Sequence, residues 1–247
     1  MTPVLRAEQV AVAYERRSVF ADVDLSLFPS RFVALVGPNG GGKSSLLRVL
    51  AGVQRPTAGR IVQQGKVALI APAGDPPGDL CAFDLAAYGL SAKRKFWQWG
   101  LNPDDERRIH AALAQCMLDD RHADPIGCLS AGEMQRAWIA AALAARADVL
   151  LIDEPTTHLD LRYQLDVLQT LVRLARSGVA VVAAIHDLTL AARFADDVAL
   201  LANGALVYGP PEEVLEPQAL EQAFGVPVST HRHPQDGYLI CLPSLTK

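Results

Sequence analysis

The chain has 247 residues, half of them hydrophobic, and carries a formal net charge of −4 at pH 7. This composition excludes a disordered chain, and the acidic balance gives no support for a nucleic-acid-binding surface, which should be basic. No apolar run is long enough to span a bilayer, and residues 1–8 lack the pattern of a secretory signal. The four cysteines show no C-x-x-C spacing. We therefore expect a cytosolic protein with reduced thiols.

The first fifty residues predict three strands, a glycine-rich loop and a helix. The expected bounds are 5–12, 25–28 and 32–36 for the strands, 15–18 for a polar turn between the first two, and 43–51 for the helix. The run 32–36 is short, apolar and rich in valine, as in a buried strand. Leu46, Leu47 and Leu50 fall at helical spacing, and Gly52 is a natural terminator.

The remaining sequence alternates strands with helices. The expected elements are strands at 67–70, 149–152 and 179–185, a loop at 71–79, a helix at 162–175, and a hairpin of 198–201 with 205–208 around Asn203-Gly204. Between them, residues 82–145 are predicted to be mostly helical, with a break near 101–104. Strands that are apolar on both faces and alternate with helices predict a parallel sheet covered on both faces.

One motif has the pattern of a triphosphate-binding loop. It matches G-x-x-x-x-G-K-[ST] in full with Gly37, Pro38, Asn39, Gly40, Gly41, Gly42, Lys43 and Ser44. Glycines let such a loop curl until many backbone N–H groups point at one anion, and the helix behind it adds its positive dipole end. Lys43 would place its charge on the β/γ oxygens, and Ser44 a hydroxyl on Mg²⁺. The alternative, a chance glycine-rich turn, does not explain the buried strand before the motif or the amphipathic helix after it.

Two carboxylates, Asp153 and Glu154, directly follow the buried strand 149–152. Such carboxylates are costly unless they bind a cation or find hydrogen-bond donors. We expect this strand to lie beside the strand of the phosphate loop, so that Asp153 reaches the Mg²⁺ shell. Because neighbouring strand residues face opposite ways, Glu154 would point instead toward an attacking water. The alternative is an N-cap cluster that opens the next helix.

Further motifs resemble those of one family. The run Leu129-Ser130-Ala131-Gly132-Glu133-Met134-Gln135-Arg136 is similar to the signature motif of ATP-binding cassette (ABC) ATPases, in its L-S-G-G-[QE] form. Thr157-His158-Leu159-Asp160 resembles the D-loop of that family, His186 its switch histidine and Tyr14 its adenine-stacking aromatic residue. The resemblance covers nearly the whole chain in the right order and spacing.

The resemblance implies a fold and a division of the chain. The fold is the P-loop NTPase (RecA-like) type, α/β, with a parallel-sheet core, an N-terminal antiparallel β subdomain and an inserted α-helical subdomain. Residues 1–247 would form a single ABC ATPase domain. Within it, 1–80 and 146–247 would be the nucleotide-binding core with the β subdomain, and 81–145 the inserted helical subdomain that carries the signature.

The resemblance also implies residue roles. Catalytic roles fall on Lys43, Glu154 and His186, and Mg²⁺ ligation on Ser44 and Asp153. ATP contacts are expected from Tyr14, the loop residues Gly37, Pro38, Asn39, Gly40, Gly41, Gly42, Lys43, Ser44 and Ser45, and from Ser130, Gly132 and Asp160. Ser130 and Gly132 would reach the γ-phosphate of ATP bound on a second copy. Local alternatives are an N-cap role for Ser130 with Glu133 completing a capping box, a core or helix-start role for His186, and ordinary packing for Tyr14.

Three positions depart from the family pattern. Ala73 stands where the family usually has glutamine, and alanine can neither ligate Mg²⁺ nor orient water. Ala131 replaces the first glycine of the signature pair, which is tolerable at negative φ, and Ser45 replaces a common threonine. We still expect hydrolysis, because the residues with catalytic roles are all present. A non-hydrolysing, ATP-regulated interaction module is the alternative that Ala73 suggests.

The resemblance is to importers of iron-siderophore, haem or cobalamin chelates, through residues 153–160, 186–196, 209–215 and 223–226. It implies ATP and Mg²⁺ as cofactors and a homodimer or paired cassette beneath integral-membrane permease subunits, fed by an extracytoplasmic substrate-binding protein. The permeases would dock between the position of Ala73 and the signature, and the chain would be cytoplasmic, peripheral on the inner face of the cell membrane. Alternatives are another ABC transporter class and a soluble, non-transport ABC ATPase.

Two further segments each allow two interpretations. The stretch Lys93-Arg94-Lys95-Phe96-Trp97-Gln98-Trp99 could be a solvated helix end or a contact with the permease or the membrane surface. His231 and His233 could bind a metal, although two histidines without a third ligand are usually solvent-facing polar residues.

Overall fold

The computed structural model describes residues 2–15, 17–71, 80–91 and 100–244, so the predictions for Ala73 and for 93–99 lie outside the described residues. In chain order the strands are β1 (Leu5–Tyr14), β2 (Arg17–Leu27), β3 (Phe32–Val36), β4 (Ala58–Gln63), β5 (Val67–Ile70), β6 (Val149–Ile152), β7 (Ala180–Ala184), β8 (Asp197–Ala202), β9 (Ala205–Gly209), β10 (Val228–Arg232) and β11 (Leu239–Pro243). The helices are α1 (Lys43–Leu50), α2 (Ala82–Ser91), α3 (Pro103–Gln115), α4 (Ala131–Ala144), α5 (Leu161–Arg176), α6 (Leu188–Phe194), α7 (Pro211–Val214) and α8 (Pro217–Phe224), with short 3₁₀ turns at Asp119–Arg121 and Ile126–Cys128.

The core is a six-stranded sheet in the order β5-β6-β7-β3-β8-β9. The first five strands are parallel, and β9 pairs antiparallel with β8. Every residue of β3 is buried, and alternate residues belong to different clusters. Val33 and Leu35 pack in a cluster with α1 and the first two strands, whereas Phe32, Ala34 and Val36 pack in a cluster with the other long helices. The predicted parallel sheet, covered on both faces, is confirmed.

The strand order contradicts the expectation that the acidic strand lies beside the strand of the phosphate loop. β7 lies between β6 and β3 and pairs with both of them, with Ala183 opposite Ile152 on one side and Ala34 on the other. The prediction was wrong because β6 and β7 are both apolar on both faces, so burial alone does not show which of them is the neighbour of β3. The carboxyl ends of β3 and β6 still reach the same edge of the sheet, one strand apart.

A separate antiparallel sheet has the order β2-β1-β4. β2 begins at Arg17 instead of residue 25, because Phe20 and Val23 point inward while the residues between them are exposed and polar or small. β4 was not predicted. Its residues are exposed except for the partly buried Ile61, which gives almost no hydrophobic signal, and backbone pairing with β1 holds it in place.

The described residues between β5 and β6 are largely helical, as predicted for 82–145. The break near 101–104 is the start of α3, where Asn102 is the N-cap and Pro103 the first helical residue. The Asn102 side chain accepts a hydrogen bond from the N–H of Asp105, and the Asp105 carboxylate accepts one from the N–H of Asn102. This reciprocal capping box fixes where α3 begins.

The predicted hairpin between β8 and β9 is confirmed. Asn203 and Gly204 have φ of 52° and 79°, the left-handed conformation that a two-residue type I′ turn requires at both positions. A second hairpin, β10–β11, was not predicted; it packs on α6, where the N–H of Cys241 donates to Thr189 Oγ1 at 3.1 Å. Across the described ranges, no helix combines the length and the apolar character needed to cross a membrane.

Candidate functional site

The phosphate loop connects the carboxyl end of β3 to the first turn of α1. Gly37 has φ of 149° and lies so close to β8 that a Cβ built on it would be 2.1 Å from the Leu201 carbonyl oxygen. The loop then turns back on itself, and the N–H of Gly41 donates to the Pro38 carbonyl at 3.1 Å. Gly42, the N-cap of α1, has φ of 99° and no side chain to cover the helix start. The first N–H groups of α1 therefore point toward a place that an anion can occupy.

Lys43 lies in this loop and is only 6% exposed. Its Nζ donates to the carbonyl oxygens of Gly37 at 2.8 Å and Pro38 at 3.1 Å. Burial lowers the pKa of Lys43, and the charges of Glu154 and Asp153 oppose that effect. The ammonium group thus lies within electrostatic reach of both carboxylates that the sequence predicted to act with it.

Asp153 directly follows β6, and its N–H donates to the Ile70 carbonyl at 2.8 Å. The residue is 8% exposed, and Oδ1 is buried without a hydrogen-bond partner among the residues that the structure describes. A buried carboxylate oxygen without a partner is costly unless a cation lies against it. Hard divalent cations prefer oxygen ligands, so the unpaired carboxylate oxygen of Asp153 has the chemistry that the predicted Mg²⁺ ligation requires.

Glu154 and His186 meet at the carboxyl edge of the sheet. His186 Nε2 lies 2.8 Å from Glu154 Oε1, and Thr157 Oγ1 donates to the other carboxylate oxygen at 3.1 Å. Burial raises the pKa of Glu154, but hydrogen bonds from His186 and Thr157 and the charge of Lys43 lower it, and the net shift is downward. Glu154 is therefore an oriented, ionised carboxylate, which is what a general base or a water-positioning group must be.

The phosphate loop and Glu154 open onto one cavity of about 390 Å³, which Tyr14 also lines. The cavity thus brings together most of the predicted loop residues, the predicted base and the predicted adenine platform, whereas Asp153 and His186 lie outside its lining. Three more residues of the lining, Arg17, Ser18 and Val19, were not predicted to be site residues. They follow Tyr14 by three to five residues in the β1–β2 hairpin, a position that could have indicated them, but the sequence predicts residues 15–18 only as a polar turn.

Tyr14 is tied to the phosphate-loop helix by its hydroxyl group. The hydroxyl lies 3.1 Å from Ser45 Oγ and donates to Gln54 Oε1 at 3.0 Å. The hydrogen bond with Ser45 is the largest influence on the pKa of Tyr14, which it lowers. The side chain is still about half exposed, at 49%, so the ring face is open to a planar ligand. Gln54 was not predicted, because its role depends on a contact 40 residues away.

Ser130, Gly132 and Asp160 do not line this cavity. Ser130 is the N-cap of α4 and forms the predicted capping box with Glu133. Gly132 packs against Tyr163, since a Cβ built on it would lie 3.0 Å from the Tyr163 Cβ. Asp160 is the N-cap of α5, and its side chain makes no capping hydrogen bond. Within one copy, the signature and the phosphate loop are separate features.

The two C-terminal histidines lie at the β10–β11 hairpin, and His233 has local partners. His233 stacks on Tyr238 with ring centroids 4.7 Å apart, and its Nδ1 accepts the N–H of Asp236 at 3.1 Å. His231 is an exposed residue of β10. Nowhere in the described part of the chain do three or more His, Cys, Asp or Glu residues form a group that could hold a metal ion.

Comparison with known proteins decides the family. The sequence model of the ABC transporter family matches residues 20–157, more than half of the chain. The chain belongs to the ABC transporter family. ATPases of this family hydrolyse ATP and couple the reaction to transport, so this ABC ATPase has the fold and the activity that the motif at 129–136 predicted.

Curated relatives and solved structures resemble this ABC ATPase over almost its whole length. The iron(3+)-hydroxamate import ATP-binding protein FhuC of Bacillus subtilis (strain 168) is 34% identical, over 96% of this chain and 94% of the relative. The hemin import ATP-binding protein HmuV of Thermobifida fusca (strain YX) is 34% identical, over 98% and 89%. A metal-chelate type ABC transporter in an inward-facing conformation superposes with a TM-score of 0.90 at 25% identity, over 99% of this chain and 98% of that one. An ATP-binding cassette in its ADP conformation shares the fold, with a TM-score of 0.82 at 19% identity, over 91% and 100%.

Proposed function

We propose that this ABC ATPase binds Mg-ATP in the cavity at the phosphate loop and hydrolyses it to energise the import of a metal chelate. The observation that carries the proposal is the meeting of three groups at one edge of the sheet. Lys43 is buried in the loop, Asp153 presents an unpaired buried oxygen, and Glu154 is held by His186 at 2.8 Å. A binding module without hydrolysis would not need an oriented carboxylate beside the triphosphate position.

The residues of the cavity and those beside it at the sheet edge divide the chemistry among them. The loop N–H groups and Lys43 hold the phosphate oxygens, and the open ring face of Tyr14 stacks on the adenine. Ser44 and Asp153 would hold Mg²⁺, which when bound supplies charge neutralisation on the phosphate oxygens. Glu154 orients the attacking water and takes its proton, while His186 keeps the carboxylate in place and ionised. Phosphoryl transfer needs little else from a protein, because positioning and electrostatics supply most of the catalysis.

We further propose that two copies act as a pair. Ser130 and Gly132 lie at the N-terminus of α4, whose N–H groups suit an anion, yet they do not line the cavity of their own copy. Head-to-tail pairing would place them, with Asp160, at the γ-phosphate held by the other copy. Hydrolysis then removes the group that joins the two copies and lets them part, which is a ligand-biased two-state switch.

The cargo and the partners are inferred from relatives. The proteins named above act on ferric hydroxamates and hemin, and the solved transporter is of the metal-chelate type. We infer an iron-siderophore, haem, cobalamin or related chelate as cargo, permease subunits in the membrane, an extracytoplasmic binding protein and a cytoplasmic position on the inner face. A second cavity of about 650 Å³, lined by β5 and by side chains such as Tyr88 and Trp138, is the proposed permease-docking groove.

The test of the enzymatic proposal is phosphate release by the purified chain or its membrane complex. Glu154→Gln keeps the size of the side chain and a hydrogen-bonding group but removes the base, so the rate should fall about 100-fold or more while ATP still binds. Glu221→Gln, an exposed residue of α8, is the matched control and should hydrolyse normally. Equal rates for Glu154→Gln and the unmodified protein would refute the assignment of Glu154, and absence of ATP binding at millimolar Mg²⁺ would refute the whole proposal.

A further inference from the structure

The hydroxyl group of Ser130 is not free. It donates to Glu133 Oε2 at 2.8 Å, and the N–H of Ser130 donates to the same oxygen at 2.8 Å. In return, the N–H of Glu133 donates to Ser130 Oγ at 3.3 Å. Glu133 therefore controls both the orientation of the Ser130 side chain and the backbone of the turn before α4. It is also an anion placed beside the group that, on the proposed function, meets a γ-phosphate.

Arg121 holds the other oxygen of that carboxylate. Its Nη1 donates to Glu133 Oε1 at 3.1 Å. The same guanidinium group donates through Nε to the Asp124 carboxylate and through Nη2 to the Cys128 carbonyl at 3.4 Å. The side chains of Arg121 and Glu133 are 38% and 18% exposed, so the pair lies at a partly covered surface. One side chain from the 3₁₀ turn after α3 thus joins the α3–α4 connection to the start of α4.

The electrostatics of Glu133 agree with this geometry. Burial raises the pKa of Glu133, but the hydrogen bonds of Ser130 and the charges of Arg121 and Arg136 lower it, and the net shift is downward. The carboxylate is therefore ionised, and an ionised group near a phosphate repels it unless a cation compensates its charge. Arg121 supplies that compensation on the oxygen that Ser130 does not use.

We propose that Arg121 is a positioning residue of the ATPase: it neutralises and holds Glu133, and through it fixes the turn at Ser130 so that the Ser130 hydroxyl group can meet the nucleotide of a second copy. The inference rests on the proposed function, because it needs Ser130 to meet that nucleotide. When the phosphate arrives, the Ser130 hydroxyl turns from Glu133 to the phosphate oxygen. Glu133 keeps its bonds to the Ser130 N–H and to Arg121, so the turn stays in place.

A purely structural role would predict something different. Arg121 also binds Asp124, and that pair could simply brace the 3₁₀ connection. Asp124→Ala removes the brace and leaves the contact with Glu133, whereas Glu133→Gln removes the charge and leaves a side chain that can still accept hydrogen bonds. The two roles therefore separate in a double-mutant cycle.

The experiment measures steady-state ATP hydrolysis by the full chain, and ATP-driven pairing by analytical ultracentrifugation in a Glu154→Gln background. Arg121→Ala should lower kcat and raise the ATP concentration needed for pairing, each about three- to tenfold, while binding of a fluorescent ATP analogue to the single copy stays unchanged. Arg121→Lys, which keeps the charge, should recover part of the loss, and the effect of Arg121→Ala should shrink below twofold in a Glu133→Gln background. Arg107→Ala, an exposed arginine of α3 whose ion-pair partner is Asp104, is the matched control and should change nothing.

The outcomes distinguish a failure of the positioning role of Arg121 from a failure of the proposed function. If the Glu154→Gln chain binds ATP and pairs, but Arg121→Ala acts no more strongly than Asp124→Ala or acts equally with and without Glu133→Gln, the positioning role is refuted and the proposed function stands. If the Glu154→Gln chain neither binds ATP nor pairs, the proposed function fails and this inference fails with it. Circular dichroism of each variant identifies any that do not fold, and Arg121→Lys then decides in place of Arg121→Ala.

Discussion

The most direct test of what shapes the phosphate loop is Gly37→Ala, a substitution that adds a single methyl group. A Cβ at this position would lie 2.1 Å from the Leu201 carbonyl oxygen of β8, whereas Cβ atoms in proteins essentially never lie within 3.0 Å of a neighbouring heavy atom. The loop and β8 must therefore separate by about 1 Å, and both are backbone, so no side chain can give way. The φ of 149° adds strain for any residue with a side chain.

These two effects set the size of the change. Overpacking costs about 1–3 kcal/mol and the unfavourable φ about 1 kcal/mol more, so Gly37→Ala should lower the free energy of unfolding by about 3 kcal/mol. For a chain of this length, that corresponds to a Tm lower by roughly 10 °C. A loop displaced by about 1 Å should also bind ATP about 100-fold more weakly, because its N–H groups no longer converge on the phosphates.

The control is a glycine that also has a positive φ but has no close neighbour. Gly225, which follows α8, has φ of 72°, and nothing lies within 4 Å of a Cβ built on it. Gly225→Ala should cost only the strain, about 1 kcal/mol or roughly 3 °C, and should leave ATP binding unchanged. Calorimetry without nucleotide and ATP titration measure the two effects. If Gly37→Ala has the same Tm as Gly225→Ala and binds ATP normally, the close approach to β8 is not what shapes the loop.

Two further predictions concern the residues around the nucleotide. His186→Ala should move the acidic limb of the kcat–pH profile to higher pH. Burial raises the pKa of Glu154 and His186 is the main influence that lowers it, so without His186 the Glu154 carboxylate becomes protonated at a higher pH. An unmoved limb would mean that Glu154 is not the titrating base. Tyr14→Ala should weaken ATP binding about tenfold by removing the stacking surface, whereas Tyr14→Phe, which keeps the ring and loses only the bonds to Ser45 and Gln54, should cost less than threefold in a nucleotide titration. Equal losses in the two variants would show that the hydroxyl bonds matter rather than the ring.

The sequence predicted those parts of the molecule whose signal is local. The runs 32–36 and 149–152 are apolar throughout, and the phosphate-loop motif can be recognised from eight consecutive residues. What it did not predict depends on pairing between distant segments. β4 is exposed except for Ile61 and is held by its partner strand. The order of β6 and β7 has no signature in two runs that are equally apolar, and Gln54 reaches Tyr14 only after the chain has folded.

The predicted division of roles between Asp153 and Glu154 cannot come from the alternation of strand residues. The sequence predicted that the two carboxylates diverge because strand residues alternate, but β6 ends at Ile152 and both residues lie beyond it. Glu154 instead has φ of 53°, an uncommon conformation for a residue with a side chain, and His186 and Thr157 hold its carboxylate there. Asp153 stays buried with an unpaired oxygen. The proposed division between cation ligand and base is therefore made by one strained residue and its two hydrogen-bond partners, so changing those partners should disturb the base while leaving the cation site intact.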